Sequence, residues 1–470
     1  MTETRQEIVE PLPQKRVRPE RAALALAMAV VIAAAMVMQA PSRRQMADDA
    51  RVEFRLLNAR AQTSLVCFYA WLEAQGHETR SPLLNAAGFP GRDASRALAE
   101  AAVAQYEYII DKEPNNWQSR ANAAILYGYL GRDYDGVVVL QRGLSLANLP
   151  QYWFLFRMYA HVAPKEKWLR SPEIKIVRRL PAGPLVMVRL YQDLGHPEKA
   201  AGALEAGFRR GMRAVAVFAG LLAVLAVGTV LWLVFFAVRP WRRPVAAPAA
   251  SWGLFQALEV LIMWTFVSLV AGQMAGRFFG GVFRSAAGLM TVLYVLTGAA
   301  ALAWFWLASL DKGSRTAAAL GWRGFRGVFA GIAGYCATLP LLAAVWLAMR
   351  AFLPDPTPGT PALPIVAGAT GVVDRTLVAF LAILAAPVFE ETLFRGIIYG
   401  ALRRRMRPAA AIAVSGAVFG LAHLDLVGAV PLAALGMVFA YLYERTGSLT
   451  APAVAHGLTN AGTVLLTMVI

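Results

Sequence analysis

Beyond Met212 the chain carries eight apolar runs in quick succession, at about 214–238, 252–276, 285–309, 327–349, 377–402, 409–424, 427–443 and 449–469. Runs of this size approach or reach the roughly 20 residues that an α-helix needs to cross a bilayer core. A backbone in lipid must satisfy its own polar groups, so such runs fold as helices. The expectation is an all-α chain, a multi-pass transmembrane helix bundle. Composition agrees: 58% of residues are hydrophobic and 16% charged, outside the range of soluble domains and against an ordinary soluble enzyme. Cys67 and Cys336 stand far apart, so neither a disulfide framework nor a CxxC metal site is expected.

The half before Met212 is organised differently. Residues 1–21 form a basic tail with Lys15, Arg16, Arg18 and Arg21, followed by an uncharged apolar stretch over 22–40. That stretch is longer than a signal-peptide core and lacks a convincing cleavage site after it, so it reads as an uncleaved anchor and a ninth span. Residues 41–212 have the charge density of a soluble helical domain inserted after that first span. Within it, Tyr127 and Gly131 repeat their spacing at Tyr191 and Gly195. The separation is close to two units of about 34 residues, which resembles tetratricopeptide repeats and suggests a surface for a peptide or protein partner.

The net charge of +17 admits nucleic acid as a partner until the arginines are placed. They cluster in alternate loops: Arg239, Arg242 and Arg243, then Lys312, Arg315, Arg323 and Arg326, then Arg403, Arg404, Arg405 and Arg407. Positive loops stay in the cytoplasm. This expectation puts the N-terminus inside and residues 41–212 outside, in a plasma or inner membrane, and reads the arginines as span-end anchors at water or anionic headgroups, with no nucleic acid. A proline-rich loop over 351–376 separates the spans of 213–350 from the last group, 377–470.

Acids are scarce after Met212, eight in all, and Glu390 and Glu391 stand side by side in one run. Ionisable groups at membrane depth mark functional sites by default. Glu391 and Arg395 are four apart and share a helix face, as an ion pair would. Glu390 lies about 100° round the helix and is left as the unpaired acid, suited to proton transfer. His456 and Asn460 are also four apart and offer an imidazole and an amide to a developing oxyanion. His423 sits on another helix, four residues after Phe419, and Glu259 is the one acid at depth elsewhere, most simply a structural hydrogen-bonding group.

In order, Glu390-Glu391-x3-Arg395, Phe419-x3-His423 and His456-x3-Asn460 resemble the three motifs of the CPBP intramembrane proteases, also called the CAAX protease and bacteriocin-processing or Abi family. The resemblance covers about 375–465. It implies an endopeptidase in which Glu390 and His423 activate the attacking water, His456 and Asn460 form the oxyanion hole, and Glu391 with Arg395 holds the site together. The substrate it implies is a membrane-associated peptide or protein. Members are often labelled metalloproteases, and Glu390, His423 and His456 could form a three-ligand set for a zinc-like divalent metal. The chain lacks HExxH, which favours hydrolysis without a required cofactor. Proton-relay chemistry also uses such residues, so a transporter, or an assembly scaffold with an outer partner-binding domain, is the competing class.

Overall fold

The computed structural model describes residues 40–77, 94–143, 149–160, 166–238, 252–278, 286–308, 321–322, 326–353, 371–423 and 425–469, with scattered positions in 23–32 and 366–369. More than half of the expected anchor at 22–40, the tail at 1–21, most of the 351–376 loop, and the basic residues Arg239, Arg242, Arg243, Lys312, Arg315 and Arg323 lie outside the described residues. Among the described residues every regular element is a helix.

The chain divides into two compact units. One consists of Gln45–Thr229 with Pro354–Gly368 and Gly462–Ile470; the other, of Met1–Arg44, Val230–Leu353 and Ala369–Ala461, holds every expected site residue.

The first unit is built from successive short helices: α1 (Ala40–Ala74), α2 (Ala94–Lys112), α3 (Trp117–Tyr129), α4 (Asp133–Gln141), α5 (Pro150–Tyr159), α6 (Pro172–Val177) and α7 (Gly183–Asp193). Then comes α8 (Pro197–Val238), inside which the boundary between the units falls. Small and aromatic side chains alternate through its core, with Ala99, Ala102, Tyr106, Ala121, Ala124 and Tyr159 all buried. Two buried polar side chains bridge its helices and turns: Asn122 accepts from the Ala182 amide at 3.0 Å, and Arg120 donates to the carbonyls of Pro114 and Val139, both at 2.8 Å.

The repeated Tyr-x3-Gly spacing has a conformational cause. Gly131 and Gly195 have φ of 78° and 74°, and the amide after each reaches back to the tyrosine carbonyl, Arg132 to Tyr127 and His196 to Tyr191, both at 2.8 Å. This is the left-handed helix stop that glycine alone adopts without cost, and it turns the chain straight into the next helix. Gly195→Ala is expected to destabilise this unit by about 1–2 kcal/mol, the cost of a side chain in the left-handed region. Nothing else obstructs the methyl, so chemical unfolding reads that cost alone, and unchanged stability would show that the stop is not what fixes the turn.

In the second unit the helices are α9 (Leu254–Phe278), α10 (Ala286–Ala308), α11 (Arg326–Phe352), α12 (Val372–Arg403), α13 (Pro408–Ala422), α14 (Leu426–Thr446) and the first part of α15 (Thr450–Val469), inside which a boundary between the units also falls. Among the described residues six helices, α8 to α12 and α14, are long and apolar enough to cross a membrane, so the protein is a multi-pass membrane protein. The expected run at 409–424 becomes α13, whose 15 residues rise about 22 Å, short of a roughly 30 Å bilayer core. The run at 449–469 becomes α15, where His456 and Asn460 interrupt the apolar sequence.

Contacts of α13 with α14 are set by glycines. A Cβ at Gly436 would meet the Gly416 Cα at 2.9 Å, so the two backbones approach as no larger residue allows.

Candidate active site

The acidic pair sits in a helix that is not regular. In α12, Leu381–Ala385 and Thr392–Tyr399 form two wide π-type stretches on either side of Ala386–Glu391. Pro387 accounts for the first. It has no N–H for the preceding turn and its ring crowds the carbonyl four residues back, so the turn opens. The carbonyl of Ala382 accepts instead from Asn460 Nδ2 at 2.8 Å. That of Ile383 faces Gly457, where a Cβ would lie only 2.6 Å from it. The second stretch is supported in the same way by Trp252, whose indole N–H donates to the Ile397 carbonyl at 2.8 Å. Each wide turn is thereby held by a side chain from a distant part of the unit.

This pinning sets where the carboxylates point. Glu391 turns inward and is fully buried. Its Oε1 accepts from Arg395 Nη1 at 3.0 Å and from His456 Nδ1 at 2.8 Å. Arg395, also fully buried, donates its second arm to the Gly436 carbonyl at 3.2 Å and lies 4.4 Å from the Phe419 ring centre and 5.2 Å from that of Phe439. The guanidinium is thus charge-balanced at one edge and lies over aromatic rings. His456 is stacked on Phe439, with centres 5.2 Å apart and an interplanar angle of 20°.

Glu390 is turned the other way, as the helical spacing requires, but it is not unpaired. Its Oε1 accepts from the Tyr294 hydroxyl of α10 at 2.6 Å. The expectation fails because α10 reads as featureless apolar sequence, and a tyrosine there gives no sign of its partner. Oε2 of Glu390 is buried with no hydrogen-bond partner and stands 4.0 Å from His456 Nε2. Since the Glu391 carboxylate accepts from Nδ1, Nε2 is the imidazole edge turned toward Glu390. The Arg395 guanidinium pairs with Glu391, and the His456 imidazole lies between the two carboxylates, so the ionisable groups of this apolar interior are gathered against one another.

Two other expected residues are placed differently. Asn460 spends one amide hydrogen on the Ala382 carbonyl, so only the second remains for an oxyanion. Its first task is to hold the backbone, because Pro387 leaves a carbonyl there to be satisfied. His423 closes α13; its Nδ1 donates to the Phe419 carbonyl at 2.9 Å and its ring lies 5.0 Å from that of Phe419. Phe419, 5.8 Å from the His456 ring, is therefore the side chain linking the second motif to the others.

The suggested metal set of Glu390, His423 and His456 is not assembled: among the described residues no three His, Cys, Asp or Glu side chains are grouped to hold a metal ion. His456 Nδ1 and His423 Nδ1 are both committed elsewhere. Glu259 is buried in α9 and engaged within the protein, as a structural role requires.

Not every arginine is a headgroup anchor. Arg403 forms a largely buried pair with Glu444 at 3.1 Å, and Tyr399 donates to the same carboxylate at 2.7 Å. Arg404 donates to the Trp252 carbonyl at 3.0 Å. The end of α12 is thereby tied to α14 and to the segment that pins the second wide turn. Sequence reading missed Glu444 because it lies at the polar end of its helix, beside Arg445.

The site thus sets a buried carboxylate oxygen without a hydrogen-bond partner against an imidazole that a second carboxylate orients. Residues 373–462 match the family described as Type II CAAX prenyl endopeptidase Rce1-like, and all seven motif residues fall inside that match. The likeness to that family is confined to this segment of the chain. The chain is also 34% identical over 90 residues to a protein of Bacillus subtilis (strain 168) named "Putative membrane peptidase YdiL". The alignment spans 19% of this chain and 37% of that relative. No solved structure matches the chain.

Proposed function

We propose that this protein is an intramembrane endopeptidase that hydrolyses a peptide bond of a membrane-associated protein or peptide with a water activated by Glu390. The observation that carries this reading is the free, buried Oε2 of Glu390 opposite His456 Nε2, 4.0 Å away. A water seated beside these atoms gives its proton to the Glu390 carboxylate as its oxygen adds to the scissile carbonyl. His456, an imidazolium balanced by Glu391, donates from Nε2 to the developing oxyanion, and the second amide hydrogen of Asn460 is available beside it. As the C–N bond breaks, the proton held by Glu390 passes to the leaving amine, and the products are a carboxylate and an amine. His423 keeps Nε2 free to orient the water, because its Nδ1 is bound to the backbone.

In this reading residues 41–212 gather the substrate or a partner protein on the extracytoplasmic side, with the N-terminus in the cytoplasm. The successive helix stops at Gly131 and Gly195 support a repeat-like surface of the tetratricopeptide kind. The test is a comparison of membrane and secreted peptides from wild-type cells with those from cells carrying Glu390→Gln. A polypeptide that accumulates uncut in the variant is expected, and its sequence defines the substrate. Identical termini in the two strains would remove the peptidase reading.

A further inference from the structure

We infer that Tyr294 is the positioning residue of Glu390, fixing which carboxylate oxygen receives the proton of the attacking water; the inference rests on the peptidase reading above. Tyr294 lies 96 residues before Glu390, outside the matched segment 373–462, and on a different helix. Its hydroxyl is 2.6 Å from Glu390 Oε1, the length of a charge-assisted O–H···O⁻ bond. An ionised carboxylate only accepts, so the phenol is the donor and its proton points at Oε1.

That single bond does more than satisfy an atom. The last torsion of a glutamate is soft and roughly two-fold, so an untethered carboxylate turns freely about it. With Oε1 held, the carboxylate plane is fixed and Oε2 is the oxygen turned toward His456 Nε2. The phenol is itself held rigidly. Its ring meets Phe389, the residue before Glu390, edge to face at 5.9 Å and 89°, and Trp264 of α9 packs on the same Phe389 at 5.1 Å. Phe389 in turn lies against Gly298, one helical turn on from Tyr294, where a Cβ would come within 3.0 Å of its ring. Helices α9 and α10 thus supply a component of the site to which the three motifs contribute nothing.

The test uses the full chain in liposomes and a proteome-derived peptide library, with new amino termini counted by amine labelling. Tyr294→Phe is expected to lower the rate at saturating library by about 100-fold, the cost of a displaced reacting group. The library concentration giving half-maximal rate is expected to stay nearly unchanged, because the phenol touches no substrate. Incorporation of 3-fluorotyrosine at 294, which keeps the O–H, is expected to restore the rate. Independently of turnover, the infrared carboxylate band identified by its loss in Glu390→Gln is expected to shift in Tyr294→Phe. A Tyr294→Phe protein with wild-type rate, or an unmoved band, overturns the assignment of Tyr294 while an inactive Glu390→Gln leaves the peptidase reading standing. A Glu390→Gln protein with undiminished rate overturns the peptidase reading and this inference with it.

Discussion

Glu390→Gln is expected to lower the rate of peptide-bond cleavage by about 10²- to 10⁴-fold, the range that a positioned general base contributes. The substitution keeps the side-chain volume, and the amide oxygen can still accept from the Tyr294 hydroxyl, so the 2.6 Å contact survives. What changes is the atom at the Oε2 position. A group that accepts a proton becomes an NH₂ that can only donate, and the other unpartnered carboxylate oxygen of the pair, Glu391 Oε2, belongs to the acid held by Arg395 and His456 through its Oε1. Membrane insertion and the unfolding midpoint in detergent are expected to remain near those of the wild type. Kinetics on the substrate found by peptide comparison, with unfolding measured on the same samples, separates lost chemistry from lost structure. Full turnover with an intact fold would leave Glu390 with no part in the reaction.

The largest effect on stability is expected at Arg395. Its side chain is fully buried, bonded to Glu391 and to the Gly436 carbonyl, and enclosed by Phe419 and Phe439. Arg395→Met fills similar space but strands a buried carboxylate and a buried carbonyl, a loss of about 3–5 kcal/mol. The double variant Glu391→Gln with Arg395→Met removes the stranded charge and is expected to recover a substantial part of that loss. Arg395→Lys is expected to stay well below wild type, since a point charge cannot bridge the carboxylate and the carbonyl while stacking on the rings. Denaturant unfolding in detergent reads all three; a single variant as stable as the wild type would mean that the ion pair is dispensable to the fold.

The core of the site was legible because helical spacing is rigid. Glu391 and Arg395 meet as residues four apart should, and Glu390 faces a different helix, as a 100° step demands. The succession of apolar runs likewise announces an all-α membrane protein. What could not be read are contacts carried by residues with no pattern of their own. Tyr294 sits in a run whose periodicity is purely apolar, and a hydroxyl among such neighbours is indistinguishable from one that merely packs. Asn460 is expected from spacing as an oxyanion donor beside His456, yet its backbone partner exists only because Pro387 opens a turn on another helix. Pro387 was the available signal: a proline three residues before an acidic pair in a continuous apolar run predicts an irregular helix, and with it carbonyls in need of donors. His423 shows the opposite limit, since its position at the end of α13 depends on where that helix stops, which spacing leaves open.

The two wide turns of α12 also give this helix slack in its length. A π-type turn carries more residues than an α turn for nearly the same axial advance, so loss of one residue within 381–385 or 392–399 can be absorbed by tightening the turn. The flanking faces would then keep their directions. A deletion within Ala386–Glu391 has no such reserve; it rotates everything on one side of the break by about 100° and separates Glu391 from Arg395 or Glu390 from Tyr294. Along this helix, tolerance to change in length is confined to the segments on either side of the acids, and the acids themselves occupy the stretch where chain length cannot vary.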